Sequence, residues 1–231
     1  MQLIYRISDN GYPKEKPDYI NNENCLKNAV KHFPNSTWHI IADNVSEATD
    51  QMIQKYKPKS IIDYVSVGHG AGTFNLALDK ALTFEDNEIV YFLENDYLHR
   101  SGSEKVIKEG FFGKGNFVSL YDHKDKYMLP NSGGNPLCTD GAEHSYVHLT
   151  ETCHWKSTNS TTMTFAAHVS TLKNCERILR KYTAGTHPYD YEMFLELGKH
   201  NYTLVTPLPS YSTHGDVKYL APLIDWEKTV D

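Results

Sequence analysis

Residues 88–96 read EIVYFLEND, and this stretch decides how the rest of the chain is interpreted. The apolar run that ends at Leu93 predicts a strand buried on both faces, because a central strand of a parallel sheet has apolar residues at consecutive positions. Two carboxylates, Glu94 and Asp96, follow the strand at once. Carboxylates at the end of a buried strand are costly unless a cation or hydrogen-bond donors compensate for them.

Strands and helices alternate from the N-terminus to this stretch. Apolar residues at helical spacing begin at Leu26 and again at Phe74, and Ser46 is placed to cap a further helix that stops before Pro58. Such alternation predicts a parallel sheet with helical crossovers, in which ligands bind at the carboxyl ends of the strands. The three strands expected before residues 88–93 are Leu3–Ile7, Trp38–Ala42 and Ile61–Val65.

The second half of the chain is less regular. Residues 121–160 are rich in His, Gly, Asn, Pro and Thr and predict a long loop region, a kind of segment that is often functional. Ser170 is placed to cap one helix, and Asp190 begins another. Short strands are expected at residues 116–120, 146–149, 162–165 and 202–206. We expect a single domain, 1–231, with a regular first half (1–100) and a less regular second half (101–231).

Composition excludes several classes of protein. The chain has 231 residues, 39% of them apolar and 23% charged, which is unlike a disordered protein. Its formal net charge of −6 argues against a nucleic-acid partner, since no excess of Lys and Arg is available for phosphates.

No stretch reaches the roughly 20 apolar residues of a membrane span, and no signal peptide is visible, so a cytoplasmic location is expected. The four cysteines lack C-x-x-C spacing and are expected to be buried, reduced thiols.

The acidic pair has a specific chemical interpretation. Two carboxylates two residues apart can share one hard divalent cation, which in turn neutralises a diphosphate. The alternative is that Glu94 and Asp96 are ordinary polar residues, exposed to water at the end of a strand.

The order of motifs resembles that of GT-A glycosyltransferases. Three features follow the pattern of that family's core. They are residues 70–75, where a loop opens a helix, then the apolar strand, and then the Glu94-Asn95-Asp96 motif. The resemblance covers residues 3–100 well and the remainder in outline. It implies an α/β fold of the GT-A type, with a Rossmann-like nucleotide-binding half (1–100) built on a mostly parallel sheet and a smaller mixed acceptor-side half (101–231). It also implies Mn²⁺ or Mg²⁺ as cofactor.

The resemblance assigns roles to individual residues. Asp96 would bind the metal directly, while Glu94 would bind it through water or hold the ribose. The chain has Glu where the family more often has Asp, which leaves the division of labour open. His214, after the last strand, would be the third metal ligand. Asp190 would be the general base of an inverting reaction, with Glu192 in reserve, although acidic residues are also common in the first turn of a helix.

Nucleotide and sugar contacts are expected at the ends of the strands and in the glycine-containing loop. Several of these residues are also ordinary turn formers. An aromatic face and an arginine further along the chain would contact the sugar or phosphate. The predicted set is Arg6, Ser8, Asp9, Asp43, Gly70, Gly72, Asn75, Glu94, Asn95, Arg100 and Trp155.

The implied reaction is transfer of a hexose or deoxyhexose from a nucleoside diphosphate sugar, UDP or GDP most of all, to a hydroxyl of a glycan or glycoprotein. The compact size is also similar to that of glycosyltransferase domains with which large viruses decorate capsid protein. Two alternatives stay open. The histidines His144, His148 and His154 could form the zinc site of a hydrolase, or the chain could bind a sugar or nucleotide without turnover.

Overall fold

The structure, a computed structural model, describes residues 1–57, 59–113 and 115–230. Its first half follows the predicted alternation. Four parallel strands lie in the order β3-β2-β1-β4. The strands are β1 (Gln2–Ser8), β2 (Thr37–Asp43), β3 (Ile61–Val65) and β4 (Ile89–Glu94), and the helices between them are α1 (Asn22–His32), α2 (Glu47–Tyr56) and α3 (Gly70–Ala81).

The second half extends the same sheet. The elements are β5 (Tyr97–His99), α4 (Ser103–Phe112), β6 (Phe117–Val118), β7 (Val147–Leu149), β8 (His154–Thr158), β9 (Phe165–His168), α5 (Val169–Tyr182), α6 (Asp190–Lys199), β10 (Leu204–Leu208) and β11 (Ser212–His214). The nine-stranded sheet has the order β3-β2-β1-β4-β9-β6-β10-β8-β7, with β9 antiparallel to both of its neighbours. β5 and β11 form a separate antiparallel pair. The predicted α/β architecture with a mostly parallel central sheet is confirmed.

The apolar residues of β1 and β4 point to both faces of the sheet. Tyr5 and Tyr91 pack on the face covered by α1, α2 and α4, whereas Ile4 and Phe92 pack on the face covered by α3, α5 and α6. All four side chains are fully buried. This two-sided burial explains why β4 reads as a continuous apolar run, and it places the Glu94 end of β4 in the middle of the sheet.

Several local predictions are confirmed and others are wrong. Ser46 caps α2, since its side chain accepts a hydrogen bond from the Thr49 amide. Ser170 lies inside α5 rather than at its cap, and the strand expected at 162–165 begins only at Phe165. Helix α4 and strand β8 were not predicted. All four cysteines are buried free thiols. In the described part of the chain, no helix combines the length and the apolarity needed to cross a bilayer.

Candidate active site

Both carboxylates of the acidic motif lie at the carboxyl edge of the sheet, as predicted, but they have different partners. Glu94 Oε1 lies 3.1 Å from Arg6 Nη2, and its Oε2 accepts a hydrogen bond of 3.3 Å from Thr164 Oγ1. Arg6 is 5% exposed and also donates to the carbonyl oxygens of Gly70 and Met163. The Glu94 carboxylate is therefore held by a buried cation of the chain itself.

Asp96 faces a different set of groups. Its Oδ2 lies 2.5 Å from Lys14 Nζ, 3.4 Å from Lys16 Nζ and 3.6 Å from His214 Nε2. Burial alone would raise the pKa of the Asp96 carboxyl, but His214, then Lys14 and Lys16, outweigh burial and hold the pKa well below its usual range. These three neighbours therefore favour the charged form of the Asp96 carboxyl.

Local packing brings His214 to Asp96. Strand β11 pairs with β5 so that His214 lies opposite Tyr97, whose ring centroid is 5.2 Å from the imidazole. A Cβ added at the next residue, Gly215, would lie 3.0 Å from the Asp96 carbonyl oxygen and 2.5 Å from Ile20 Cγ2. The glycine therefore allows the end of β11 to approach the acidic motif closely.

The other predicted acidic residues lie at the start of α6. Asp190 accepts a hydrogen bond of 2.7 Å from the Tyr191 amide. Burial first, and then the charge of Glu94, raise the pKa of Asp190 to about 7. Glu192 is exposed on the helix surface. The buried Asp190 carboxyl therefore has the environment of a group that exchanges protons near neutral pH.

These groups surround two adjoining cavities. The larger, about 540 Å³, contains Glu94, Asp190 and His214 in its wall. The smaller, about 100 Å³, lies at the ends of β1 and β2. Both are bordered by His69, Gly70 and Glu94, so one elongated site runs across the end of β4. The smaller cavity is lined by Arg6, Ile7, Ser8, Asn10, Gly11, Asp43, His69, Gly70, Thr73, Glu94 and Asn95.

Some residues that were predicted to contact the nucleotide make hydrogen bonds or packing contacts within the protein. Asp9 accepts hydrogen bonds from the Ser46 amide and the Thr49 hydroxyl and so fastens the start of α2. Asp43 accepts from the amides of Val67 and Gly68. Asn75 bonds to Thr183, and the Asn95 amide bonds to Ser8 and Asn22. At Gly72, a Cβ would lie 2.3 Å from Val67 Cγ1, so this glycine serves packing.

Two predicted contacts lie away from the cavities. The Arg100 guanidinium stacks 4.2 Å from the centre of the Tyr211 ring and donates to the Ser210 carbonyl. Trp155 is 0% exposed, and its indole N–H donates to Thr150. The prediction that Trp155 presents a face to a sugar is corrected by this burial, because the ring is part of the core beneath α4.

Sequence reasoning assigned no role to Tyr12, Lys14 or Lys16 in the loop between β1 and α1. Tyr12 and Lys14 lie in the wall of the larger cavity, and Lys16 reaches Asp96. The alternating charges of Lys14-Glu15-Lys16 were the only available signal. Periodicity cannot show where an irregular loop points its side chains. The segments before α6 and β9 were missed for the same reason, and they contribute Thr162, Met163, Thr186, His187 and Pro188.

The histidine cluster does not assemble. The His144 side chain is 92% exposed and lies 4.0 Å from Asp140, and His148 stacks on Trp155 with ring centroids 6.3 Å apart. Within residues 1–57, 59–113 and 115–230, no group of three or more His, Cys, Asp or Glu side chains is arranged to hold a metal ion. The zinc hydrolase alternative therefore has no site in the described chain.

Asp96 and His214 nevertheless fit a cation that takes its remaining ligands from a substrate. Among the described residues, Asp96 Oδ1 is buried without a hydrogen-bond partner. A carboxylate oxygen and an imidazole nitrogen suit Mn²⁺, and Mg²⁺ often uses one or two protein carboxylates together with substrate phosphates and water. Glu94 is turned toward Arg6, so it is not a direct ligand in this arrangement.

Comparison with solved structures decides the fold. GalNAc-T7 with UDP, GalNAc and Mn²⁺ superposes with a TM-score of 0.59 at 10% identity over 92% of this chain. The chain has the GT-A fold. It spans 42% of the GalNAc-T7 chain.

Two further solved structures are similar to this chain at lower scores. CMP:2-keto-3-deoxy-manno-octonic acid synthetase with CTP gives a TM-score of 0.50 at 10% identity, over 89% of this chain and 88% of that one. The galactosyltransferase LgtC, in complex with donor and acceptor sugar analogs, gives 0.49 at 11% identity, over 89% and 73%. No family model matches the sequence, and no curated protein matches it. Similarity at such identities concerns the fold, and the chemistry must be argued from the site.

Proposed function

We propose that the chain is a glycosyltransferase, transferring a hexose or deoxyhexose from a nucleoside diphosphate sugar to a hydroxyl of a glycan or glycoprotein. One observation carries the proposal. Asp190, with its pKa raised to about 7, borders the same cavity as Glu94 and His214, and that cavity adjoins a second one at the ends of β1 and β2. A candidate base, a candidate metal site and the groove at the ends of β1 and β2 thus meet at the carboxyl edge of the sheet.

The donor is proposed to lie along the two cavities, with UDP or GDP as its nucleotide. Its base and ribose would lie in the groove beside Ser8 and Asp43. Its diphosphate would lie near the start of α3, where the helix dipole favours an anion. Residues 1–100 would then form the donor half, and 101–231 the acceptor side. The solved neighbours contain UDP and CTP in the same fold.

Asp96 and His214 are proposed to hold Mn²⁺ or Mg²⁺ against the diphosphate. When bound, the cation would neutralise the charge that develops on the leaving diphosphate. The neighbour GalNAc-T7 contains Mn²⁺ in its structure. Glu94, held by Arg6 and Thr164, would act on the cation through water or on the donor sugar.

Asp190 is proposed as the general base. Its carboxylate would accept the proton of the acceptor hydroxyl as that oxygen attacks the anomeric carbon, which predicts inversion of configuration. A base with a pKa near the working pH is well suited to this step. A large fraction of its carboxyl groups is deprotonated, and the carboxylate still binds a proton strongly enough to take it from the hydroxyl. Glu192 is exposed and is the weaker candidate.

Thermal unfolding with UDP-, GDP-, dTDP- and CMP-sugars, each with and without Mn²⁺, tests the proposal. A ligand that binds only the folded state raises the midpoint of unfolding. We expect one nucleotide sugar to stabilise the protein, with a larger shift when Mn²⁺ is present. The same mixture should release free nucleoside diphosphate in a coupled assay. Stabilisation without any release would identify a binding protein, and no stabilisation by any nucleotide sugar would contradict the proposal.

A further inference from the structure

The side chain of Lys14 lies between the two proposed metal ligands. Its Nζ is 2.5 Å from Asp96 Oδ2 and also donates a hydrogen bond to His214 Nε2. Lys16 Nζ is 3.4 Å from the same Asp96 oxygen. Of these two ammonium groups, Lys14 is the one that touches both the Asp96 carboxylate and the His214 nitrogen, the two groups proposed to hold a divalent cation.

An ammonium group is chemically able to hold this position. It is a compact positive charge with three donors and no acceptor. It therefore pairs with Asp96 through its charge and contacts His214 at Nε2, the nitrogen proposed to bind a metal. A divalent cation and the ammonium cannot share the position, since both are positive and both need His214 Nε2 beside the Asp96 carboxylate. Metal binding thus requires Lys14 to leave.

The loop that carries Lys14 links the two sides of the site. The carbonyl oxygen of the next residue, Glu15, accepts a hydrogen bond of 3.0 Å from the Val217 amide, just beyond β11. Tyr12 stacks near His187, ahead of α6, with ring centroids 5.8 Å apart. Lys14 itself borders the 540 Å³ cavity. The cavity gives the displaced ammonium room to move toward the place proposed for the donor diphosphate.

We propose that Lys14 is an internal competitor of the divalent cation. In the metal-free protein its ammonium holds Asp96 and His214 together, and metal binding displaces it into the cavity, where an anionic diphosphate is its natural partner. This inference rests on the proposed function, because it uses the metal site at Asp96 and His214 that is proposed there. It makes metal affinity depend on a residue that is not itself a ligand.

Direct measurement of Mn²⁺ binding tests the competition. The electron paramagnetic resonance signal of free Mn²⁺ reports binding to the wild type, Lys14→Met and Lys16→Met, without any need for turnover. If Lys14 occupies the position about 90% of the time, the apparent affinity of the wild type is reduced about tenfold. We therefore expect Lys14→Met to bind Mn²⁺ about tenfold more tightly than the wild type. Lys16→Met also removes one nearby charge and should gain much less.

A second measurement uses the wild type and does not depend on whether a variant folds. The Lys14 side chain is 14% exposed in its contact with Asp96. Brief acetylation of amines, located by mass spectrometry, should modify Lys14 slowly in the metal-free protein and faster when Mn²⁺ is bound. Lys228, whose side chain is 83% exposed far along the chain, serves as the internal reference and should not respond to Mn²⁺.

Four outcomes would overturn the inference. Lys14→Met could bind Mn²⁺ no more tightly than the wild type, or Lys16→Met could gain as much as Lys14→Met, which would indicate general charge repulsion. Lys14 could also be acetylated at the same rate with and without Mn²⁺. The proposed transfer reaction is tested separately by release of nucleoside diphosphate with EDTA in place of metal. Release without any Mn²⁺ binding would refute the competition and leave the transferase proposal standing.

Discussion

Arg6 Nη2 lies 3.1 Å from Glu94 Oε1, and this contact joins the end of β1 to the end of β4. The two residues are directly opposite each other in the parallel pairing of these strands. The same guanidinium donates to the Gly70 carbonyl at the start of α3 and to the Met163 carbonyl before β9. One buried cation therefore positions three segments that border the site.

Replacement of Arg6 by Met should destabilise the protein. Removing one partner of a buried ion pair leaves the other charge uncompensated, and because Glu94 is 26% exposed we expect a loss of about 2–3 kcal/mol in the free energy of unfolding. Urea denaturation measures this loss. Arg180→Met is the matched control, since Arg180 pairs with Asp79 and Glu176 on the surface and should contribute about 0–1 kcal/mol. Equal losses for the two variants would contradict the buried role of Arg6.

Replacement of Gly215 by Ala should disturb the approach of β11 to the acidic motif. The added Cβ would lie 2.5 Å from Ile20 Cγ2 and 3.0 Å from the Asp96 carbonyl oxygen, so one of these segments must shift. We expect a loss of about 1–3 kcal/mol in stability, together with weaker binding of Mn²⁺. At Gly198, in the last turn of α6, a Cβ would meet nothing within 4 Å. Gly198→Ala should therefore stabilise the protein by up to about 1 kcal/mol.

Much of the fold follows from patterns within short segments. The run from Ile89 to Leu93 is apolar at consecutive positions because both faces of the sheet are covered, and Ser46 caps α2 through a contact three residues away. Such signals are local. Helix α4 and strand β8 were missed because tertiary packing defines them. Trp155, in β8, is buried against Gly110 of α4, a contact between residues 45 positions apart (155 − 110).

The candidate site was predicted only in part. Glu94, Asp96, Asp190 and His214 were found from acidic residues at element ends and from the family pattern. The sequence could not show that Arg6 holds Glu94, because that contact depends on the pairing of β1 with β4. Nor could it show that Lys14 reaches Asp96 from a loop. Long charged side chains in loops have too many possible directions for spacing to predict their contacts.

Replacement of Asp96 by Asn tests the proposed metal ligand. The amide keeps the size of the side chain but removes the charge that balances a divalent cation, so metal-dependent turnover should fall by at least about 100-fold. Binding of Mn²⁺ should be lost together with turnover. Asp79→Asn, on the exposed surface of α3, should retain both. Full Mn²⁺-dependent activity in Asp96→Asn would exclude Asp96 as the ligand.

The pKa of Asp190 connects stability with catalysis. Burial and the Glu94 charge raise the pKa of Asp190 from 3.8 to about 7 in the folded protein, whereas the unfolded chain has the ordinary value. Between these two values the folded state keeps a proton that the unfolded state has released. The contribution of Asp190 to stability is therefore fully present below pH about 4 and is lost as the pH rises through about 7.

Asp190→Asn should remove the effect of this raised pKa on stability and its effect on catalysis. The amide has no charge to bury, so the variant should unfold at a higher temperature than the wild type at pH 8, and this gain should disappear near pH 4–5. In the wild type, kcat/KM should rise with pH and level off above about 7, because only the carboxylate can accept the acceptor's proton. Asp190→Asn should lose this rise and most of the activity, while Glu192→Gln should keep both. A stable variant that retains the rise would assign the base to another residue, and an unchanged stability difference from pH 4 to 8 would show that Asp190 titrates normally.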